Sequence, residues 1–321
     1  MKATELGKPP PVVVVGGPTA SGKSALALRL AETFGGTVIN GDALQVYREL
    51  CVLTARPAPA DTRRVPHRLY GVLSAHQRCS AARWRTMALA AIAASHEKDR
   101  LPIVVGGTGL YLRALMEGLS PVPAIAPEVR EKARARHAEL GSAAFHAELA
   151  TLDPVMAARL KPGDSQRLIR AWEVMTATGR SLSLFQRIAP AKAALRFVPL
   201  ILLPPRETLV AVCDARAVRM LEEGALDEVK TLLAMALAPD LPAMKAVGVR
   251  ELGEHLAGRT SRQEAVEALQ RATRQYAKRQ ITWFRHQMPG AKIWPEQYSE
   301  SLEEEIFPFI RKAVDHPTSG G

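Results

Sequence analysis

The sequence predicts an α/β protein: a doubly wound parallel sheet with an inserted helical domain. Three observations predict it. The run Gly17-Pro18-Thr19-Ala20-Ser21-Gly22-Lys23-Ser24 fills every fixed position of the phosphate-binding pattern G-x-x-x-x-G-K-[ST]. It is preceded by a β-branched apolar run and followed by strong helix formers, which is the strand–loop–helix context of a P-loop NTPase-like core. Further apolar strands then alternate with helical stretches, as parallel βαβ units require.

The elements follow in order. Val12-Val13-Val14-Val15 reads as a buried parallel strand, and Ala25 to Glu32 as the helix after the loop. Thr37 to Asp42 reads as a second strand that ends in a carboxylate. Arg56 to Arg68, with Pro57, Pro59 and Pro66, reads as loop. An alanine-rich helix is expected over Ala81 to His96. A third strand, Leu101 to Val105, runs into Gly106-Gly107-Thr108-Gly109 and a helix from Leu110. Alternation then stops. Ser120 to Ala124 is a proline-containing linker, and Glu128 to Arg196 reads as almost wholly helical, broken at Pro154 and Pro162-Gly163. A strand returns at Phe197 to Leu203, helices are expected from Thr208 to about His286, and Lys292-Ile293-Trp294 reads as a last short strand. The tail, His316 to Gly321, is expected to be disordered. The domain reading is a phosphate-binding core made of residues 1–122 and 197–321, with a helical insertion at 123–196.

Composition narrows the function. The 321 residues are 47% apolar, ample for a core. No apolar run approaches the roughly 20 residues that span a bilayer. Met1 to Pro11 has no apolar segment of the secretory kind. Cys51, Cys79 and Cys213 are scattered, so reduced thiols and a cytoplasmic location are expected, with no zinc site. The net charge of +11 exceeds what a small phosphate ligand needs and suits an extended polyanion as partner.

Lys23 supplies a positive charge to a polyphosphate, and the Ser24 hydroxyl is the candidate Mg²⁺ ligand. Asp42, at a strand end beside the loop, is the leading candidate for a general base. A magnesium-organising carboxylate and a helix cap are the competing readings. Thr108 offers a hydroxyl to a phosphate or substrate, or is a plain turn residue. Strand 101–105 ends in glycines rather than the aspartate of motor and switch NTPases, which disfavours those classes. Between Ala268 and Pro295 lie Arg271, Arg274, Lys278, Arg279, Arg285 and Lys292, with no acidic residue. On a helix 271, 274, 278 and 285 share one face, with Tyr276, Trp283 and Phe284 interleaved. That pattern suits phosphate contacts and base stacking by a folded RNA, against the alternative of a solvated face with Trp283 in the core. Gln166-Arg167-Leu168-Ile169-Arg170 repeats the theme in the insertion.

Taken together these segments resemble the tRNA dimethylallyltransferases (tRNA isopentenyltransferases) of the bacterial type. The resemblance runs through 17–24, Asp42-Ala43-Leu44-Gln45-Val46-Tyr47, Thr54-Ala55-Arg56-Pro57, Pro66-His67-Arg68-Leu69 and Gly106-Gly107-Thr108-Gly109-Leu110-Tyr111. It continues in Asp153-Pro154, Asp164 to Arg170, Glu173-Val174, Thr178-Gly179 and Ala277-Lys278-Arg279-Gln280-Ile281-Thr282-Trp283-Phe284-Arg285. It implies transfer of a dimethylallyl group from dimethylallyl diphosphate to N6 of the adenosine 3′ to the tRNA anticodon, with Mg²⁺ assisting and diphosphate leaving. By the same resemblance Asp42 is the base, and Lys23, Thr108 and Arg216 attend the diphosphate. Arg216 comes from Arg216-Ala217-Val218-Arg219-Met220-Leu221, with Arg219 as the fallback in another register. The anticodon stem-loop is then held by Asp42, Ala43, Leu44 and Gln45, by Gln166 to Arg170, and by Arg274, Lys278 and Arg279. A monomer without membrane attachment is implied, and no zinc-finger extension of the kind in eukaryotic relatives is expected.

The chain departs from the family pattern at Ala43 (usually serine), Arg56 (lysine), Val212 (arginine) and Val249 (tyrosine). These affect RNA contact and substrate range before the reaction itself. A small-molecule kinase, an adenine-nucleotide prenyltransferase and an RNA-binding module with a vestigial nucleotide site are the rival readings. The basic segments weigh against the first two, and the intact Lys23, Ser24 and Asp42 weigh against the third.

Overall fold

The computed structural model describes residues 9–288 and 290–315. Residues 1–8 of the segment read for a secretory signal, and the 316–321 tail, lie outside these. The strands are β1 (Pro11–Gly16), β2 (Gly36–Asn40), β3 (His67–Arg68), β4 (Leu101–Gly106), β5 (Arg196–Leu202) and β6 (Lys292–Trp294). They form one six-stranded sheet in the order β3-β2-β4-β1-β5-β6, every pair parallel. Val12 to Val15 and every residue of β4 are buried, as in-sheet strands covered on both faces must be.

The helices of the sheet unit are α1 (Lys23–Thr33), α2 (Pro59–Arg64), α3 (Ala81–His96) and α4 (Gly109–Glu117). The insertion holds α5 (Pro127–Leu152), α6 (Pro154–Arg159), α7 (Ser165–Thr178) and α8 (Leu182–Gln186). Beyond it come α9 (Arg206–Glu222), α10 (Ala225–Ala234), α11 (Val249–Leu256), α12 (Arg262–Gln287) and α13 (Glu303–Asp315). One core lies on the sheet face bearing Val12, Val14, Ile39 and Val104, closed by side chains such as Trp84, Leu112, Leu269 and Phe284. The other face, with Val13, Val15 and Ile103, is covered by Leu26 and Leu30 of α1 and by Ile306 and Ile310 of α13. Each buried Val or Leu contributes about 1.5–3 kcal/mol relative to exposure, so both faces are needed to hold the strand ends in place.

The described residues divide into two compact units: those up to Met116 with those from Ala193 on, and Glu117–Lys192. The second has its own core around Phe145, Leu149, Leu168 and Trp172. Helix α5 is kinked where Gly141 takes φ 72°.

Three expectations are corrected. The Arg56–Arg68 stretch contains a short helix and an edge strand, because Pro59 sits in the first turn, where its missing N–H costs nothing. The insertion's helices end at Gln186, not Arg196, and the segment through Pro190 is irregular. The second strand stops at Asn40, two residues before Asp42. Helix α13 had no counterpart in the sequence reading. Among the described residues no helix is long and apolar enough to cross a membrane.

Candidate active site

The C-terminal ends of β1, β2 and β4 open onto a cavity of about 340 Å³. Such crevices at strand C-termini are where open α/β sheets bind ligands. Its polar lining includes Thr19, Lys23, Ser24, Asp42, Gln45 and Arg216, and its apolar wall includes Leu53, Val212, Met220, Val247 and Leu269.

The phosphate-binding loop leaves β1 and enters α1 at Gly22, whose φ of 84° is left-handed and suits glycine. Pro18 has no N–H. The Thr19 N–H donates to Gln280 Oε1 at 2.8 Å, and the Ser21 N–H to Pro18 O at 3.3 Å. The free amides are therefore those at the start of α1, the usual place for anion recognition. The loop is propped from behind by Gln297, whose Nε2 donates to Ala20 O at 2.9 Å, and by the Tyr298 N–H, which donates to Ser21 O. The buried Ser21 Oγ has no hydrogen-bond partner.

Lys23 Nζ donates to Pro18 O at 3.1 Å. Burial pulls its ammonium down to about 8 from the ordinary 10.5; Asp42 opposes this shift and Arg216 adds to it. Arg216, on α9, donates from Nη1 to Thr19 Oγ1 at 2.9 Å, and its buried Nε has no partner. Burial lowers its pKa as well. Arg219 is exposed outside this cavity, so of the two registers only Arg216 lines it.

Asp42 is held by its own turn. Its N–H donates to Asn40 Oδ1 at 2.8 Å, and its Oδ1 accepts the Leu44 N–H at 2.9 Å. Asn40 is fully buried, donates to Asp42 O and Leu69 O, and accepts Trp84 Nε1–H at its carbonyl. Thr108 Oγ1 accepts the Ala43 N–H at 2.9 Å. Its hydroxyl thus ties the Asp42 turn to the β4 turn, while Tyr276 lines the cavity. Burial and the Asp42 charge raise the Tyr276 phenol, which stays protonated. Gly106 is required where β4 meets this turn: a Cβ there would strike the Gly41 backbone.

The basic ridge of α12 divides in two. Arg271, Arg274, Lys278 and Arg285 line a separate groove against Arg206 and Leu209. Arg274 is paired there with both oxygens of Asp214, at 2.6 and 2.7 Å, so a counter-charge absent from the local sequence arrives from α9. Arg279 instead stacks over Tyr276 with its guanidinium carbon 5.8 Å from the ring centre. Of the three aromatics, Tyr276 lines the cavity, and the other two are not free for base stacking as the spacing suggested. Phe284 is buried and Trp283 packs against Gly109.

In the helical unit Gln166 and Arg167 are exposed, Arg170 pairs with Glu173, and Leu168 is fully buried. The expectation that the Leu168 side chain meets RNA is therefore corrected, since helical periodicity turns it into the core. Asn40, Gln280 and Gln297 carried no role in the sequence reading. Of the departures, Val212 lines the cavity and Val249 is buried at the start of α11.

Among the described residues no cluster of three acidic, His or Cys side chains exists that would hold a metal alone. The exposed Ser24 hydroxyl beside the loop fits Mg²⁺, which keeps several waters and takes its remaining ligands from substrate phosphates.

The Lys23 value sets a pH dependence. An alkyl diphosphate is fully ionised well below pH 8, since a phosphate's second pKa is about 6. Binding favours protonated Lys23 and raises its pKa in the complex. Affinity is then full below the free-site pKa of about 8 and falls as pH rises through it. The slope is about tenfold per pH unit until the bound-state pKa is reached. Calorimetric titration of a simple alkyl diphosphate such as methyl diphosphate from pH 6.5 to 9.5 checks this, and Lys23→Met removes the break.

Residues 45–287 match the family model described as IPP transferase. The chain is 57% identical over 285 residues to a tRNA dimethylallyltransferase of Rhodospirillum centenum, covering 88% of this chain and 90% of that one. It is 55% identical to that of Paramagnetospirillum magneticum, over 94% and 96% of the two chains. The full-length tRNA isopentenylpyrophosphate transferase of Bacillus halodurans superposes with a TM-score of 0.70 at 32% identity, covering 96% and 97%. A eukaryotic dimethylallyltransferase captured acting on tRNA superposes at 0.81 with 25% identity, over 97% of this chain and 81% of that one.

Proposed function

The chain belongs to the IPP transferase family, the tRNA dimethylallyltransferases, and from that premise we propose how its cavity performs the reaction. The protein transfers a dimethylallyl group from dimethylallyl diphosphate to N6 of the adenosine 3′ to the anticodon in tRNA. The observation that carries this reading is one cavity that joins a phosphate-binding loop, a carboxylate and an apolar wall. A hydrocarbon of five carbons suits Leu53, Val212, Met220, Val247 and Leu269, whereas the polar acceptor of a small-molecule kinase does not.

The bond between C1 and its diphosphate oxygen breaks, a bond from N6 to C1 forms, and the N6 proton passes to Asp42. An exocyclic adenine amine is a weak nucleophile because its lone pair is delocalised, so the nearby base matters. Lys23, Arg216 and the α1 amides hold the charge that grows on the departing diphosphate. Mg²⁺, held by Ser24 and the diphosphate oxygens, would neutralise part of that charge. Thr108 keeps the Asp42 turn in register through the Ala43 N–H. The adenosine leaves the stack of a single-stranded loop, at modest cost.

Ala43, Leu44 and Gln45 meet the extruded nucleotide. Arg274, Lys278 and Arg279, with Gln166, Arg167, Ile169 and Arg170 of the helical unit, meet the stem-loop backbone. The enzyme works as a monomer in the cytoplasm, where its tRNA is.

The test is incubation of purified protein and Mg²⁺ with labelled dimethylallyl diphosphate and unmodified tRNA, with AMP and ATP as parallel acceptors. Label is expected only in tRNA adenosine. Label in AMP would move the reading to a nucleotide prenyltransferase, and ATP turnover without label transfer would move it to a kinase.

A further inference from the structure

Helix α12 carries exposed cations next to a buried amide. Lys278 and Arg279 are exposed, while Gln280, the next residue, is only 6% exposed. Gln280 Oε1 accepts the Thr19 N–H at 2.8 Å, and Gln280 Nε2 donates to Gly107 O at 2.8 Å. Thr19 belongs to the loop after β1 and Gly107 to the turn after β4. One side chain therefore clamps both strand-end turns to the helix. The site needs one acceptor and one donor at once, and the neutral amide supplies both. A Cβ on Gly107 would run into this amide, so the fit is also steric. Arg216 pins the hydroxyl of the same Thr19 from α9. With its backbone held by α12 and its side chain by α9, Thr19 sets the conformation of the loop that receives the diphosphate.

We propose that Gln280 is a positioning residue that locks the phosphate-binding loop to α12, so that diphosphate binding and RNA binding along α12 strengthen each other. The RNA half of this rests on the function proposed above. The coupling is reciprocal: whatever factor diphosphate adds to RNA affinity, RNA adds to diphosphate affinity. The coupling requires that α12 and the loop also have an arrangement in which the Gln280 clamp is open. A ligand on either one selects the arrangement in which the Gln280 clamp is closed, and so prepares the other site.

The test uses the full chain with inorganic diphosphate and an anticodon stem-loop RNA, titrated singly and together. In the wild type, saturating diphosphate is expected to tighten RNA binding by about fivefold or more. Gln280→Met removes both hydrogen bonds and leaves the Thr19 N–H without its acceptor. Its diphosphate Kd is expected to rise about tenfold, and the mutual strengthening to vanish. Gln280→Glu keeps an acceptor for Thr19 but sets an oxygen against Gly107 O, so it is expected to fall between the two. A residue that only stabilised the fold would lower Tm in both variants while leaving the coupling factor intact. That result, an unchanged diphosphate Kd, or an uncoupled wild type would overturn the proposal. If Gln280→Met fails to fold, Gln280→Glu decides by the same readouts. If the wild type binds diphosphate but transfers no prenyl group, the proposed function fails separately, and the diphosphate Kd of the variants still judges Gln280.

Discussion

Asp42→Asn is expected to slow prenyl transfer by about 10²–10⁴-fold, the usual worth of a positioned general base. The substitution is chosen for shape. Asparagine keeps an oxygen where Asp42 Oδ1 accepts the Leu44 N–H, so the turn from Asn40 to Leu44 is retained. What disappears is the acceptor for the N6 proton and one negative charge. Affinity for tRNA is therefore expected to stay within about threefold, because phosphate contacts dominate RNA binding. A second consequence follows from the field. Asp42 opposes the burial that lowers Lys23, so without it the Lys23 pKa drops below about 8. The pH at which diphosphate affinity begins to fall should move down in parallel. Single-turnover transfer measured with saturating tRNA separates the two effects. Near-normal turnover in Asp42→Asn would remove it as the base.

Legibility in the sequence tracked the distance over which each interaction acts. The loop at 17–24 was readable because eight consecutive residues determine its shape, and the strands because burial on both faces leaves an apolar run. Asp42 was readable as a carboxylate at a strand end, although the strand itself stops at Asn40. The Asn40 side chain that orients it was not, since a buried asparagine has no periodic signature. Gln280 and Thr19 lie 261 residues apart, and nothing local in either segment announces their contact. Asp214 neutralises Arg274 across 60 residues, which is why a stretch without acidic residues overstated the free charge of α12. Which aromatics of that helix turn inward was not legible for a related reason. Spacing shows which residues share a face, and only packing shows whether that face meets Gly109 or solvent. The segment between β6 and α13 supports the loop through the Gln297 side chain and the Tyr298 N–H, contacts that no local pattern marks.

Arg216→Gln is expected to lower the transfer rate by about 10²–10³-fold, equivalent to about 3–4 kcal/mol of lost charge stabilisation on the leaving diphosphate. Glutamine can still donate toward Thr19, so the loop keeps a partner there while the cation is lost. Arg216→Lys restores charge without the planar fork and should recover only part of the rate. The distinguishing readout is again Lys23. Arg216 is a like charge that helps hold Lys23 down, so in Arg216→Gln the Lys23 pKa rises and the fall in diphosphate affinity starts above pH 8. This shift is opposite in sign to that of Asp42→Asn, although both variants lose activity. General damage to the fold would lower both rates and leave the two breaks at the same pH. Opposite displacements would mean that Asp42, Lys23 and Arg216 form one electrostatic unit. If Arg216→Gln left both the rate and the break unchanged, Arg216 would serve α9 alone, and charge on the departing diphosphate would fall to Lys23 and the α1 amides.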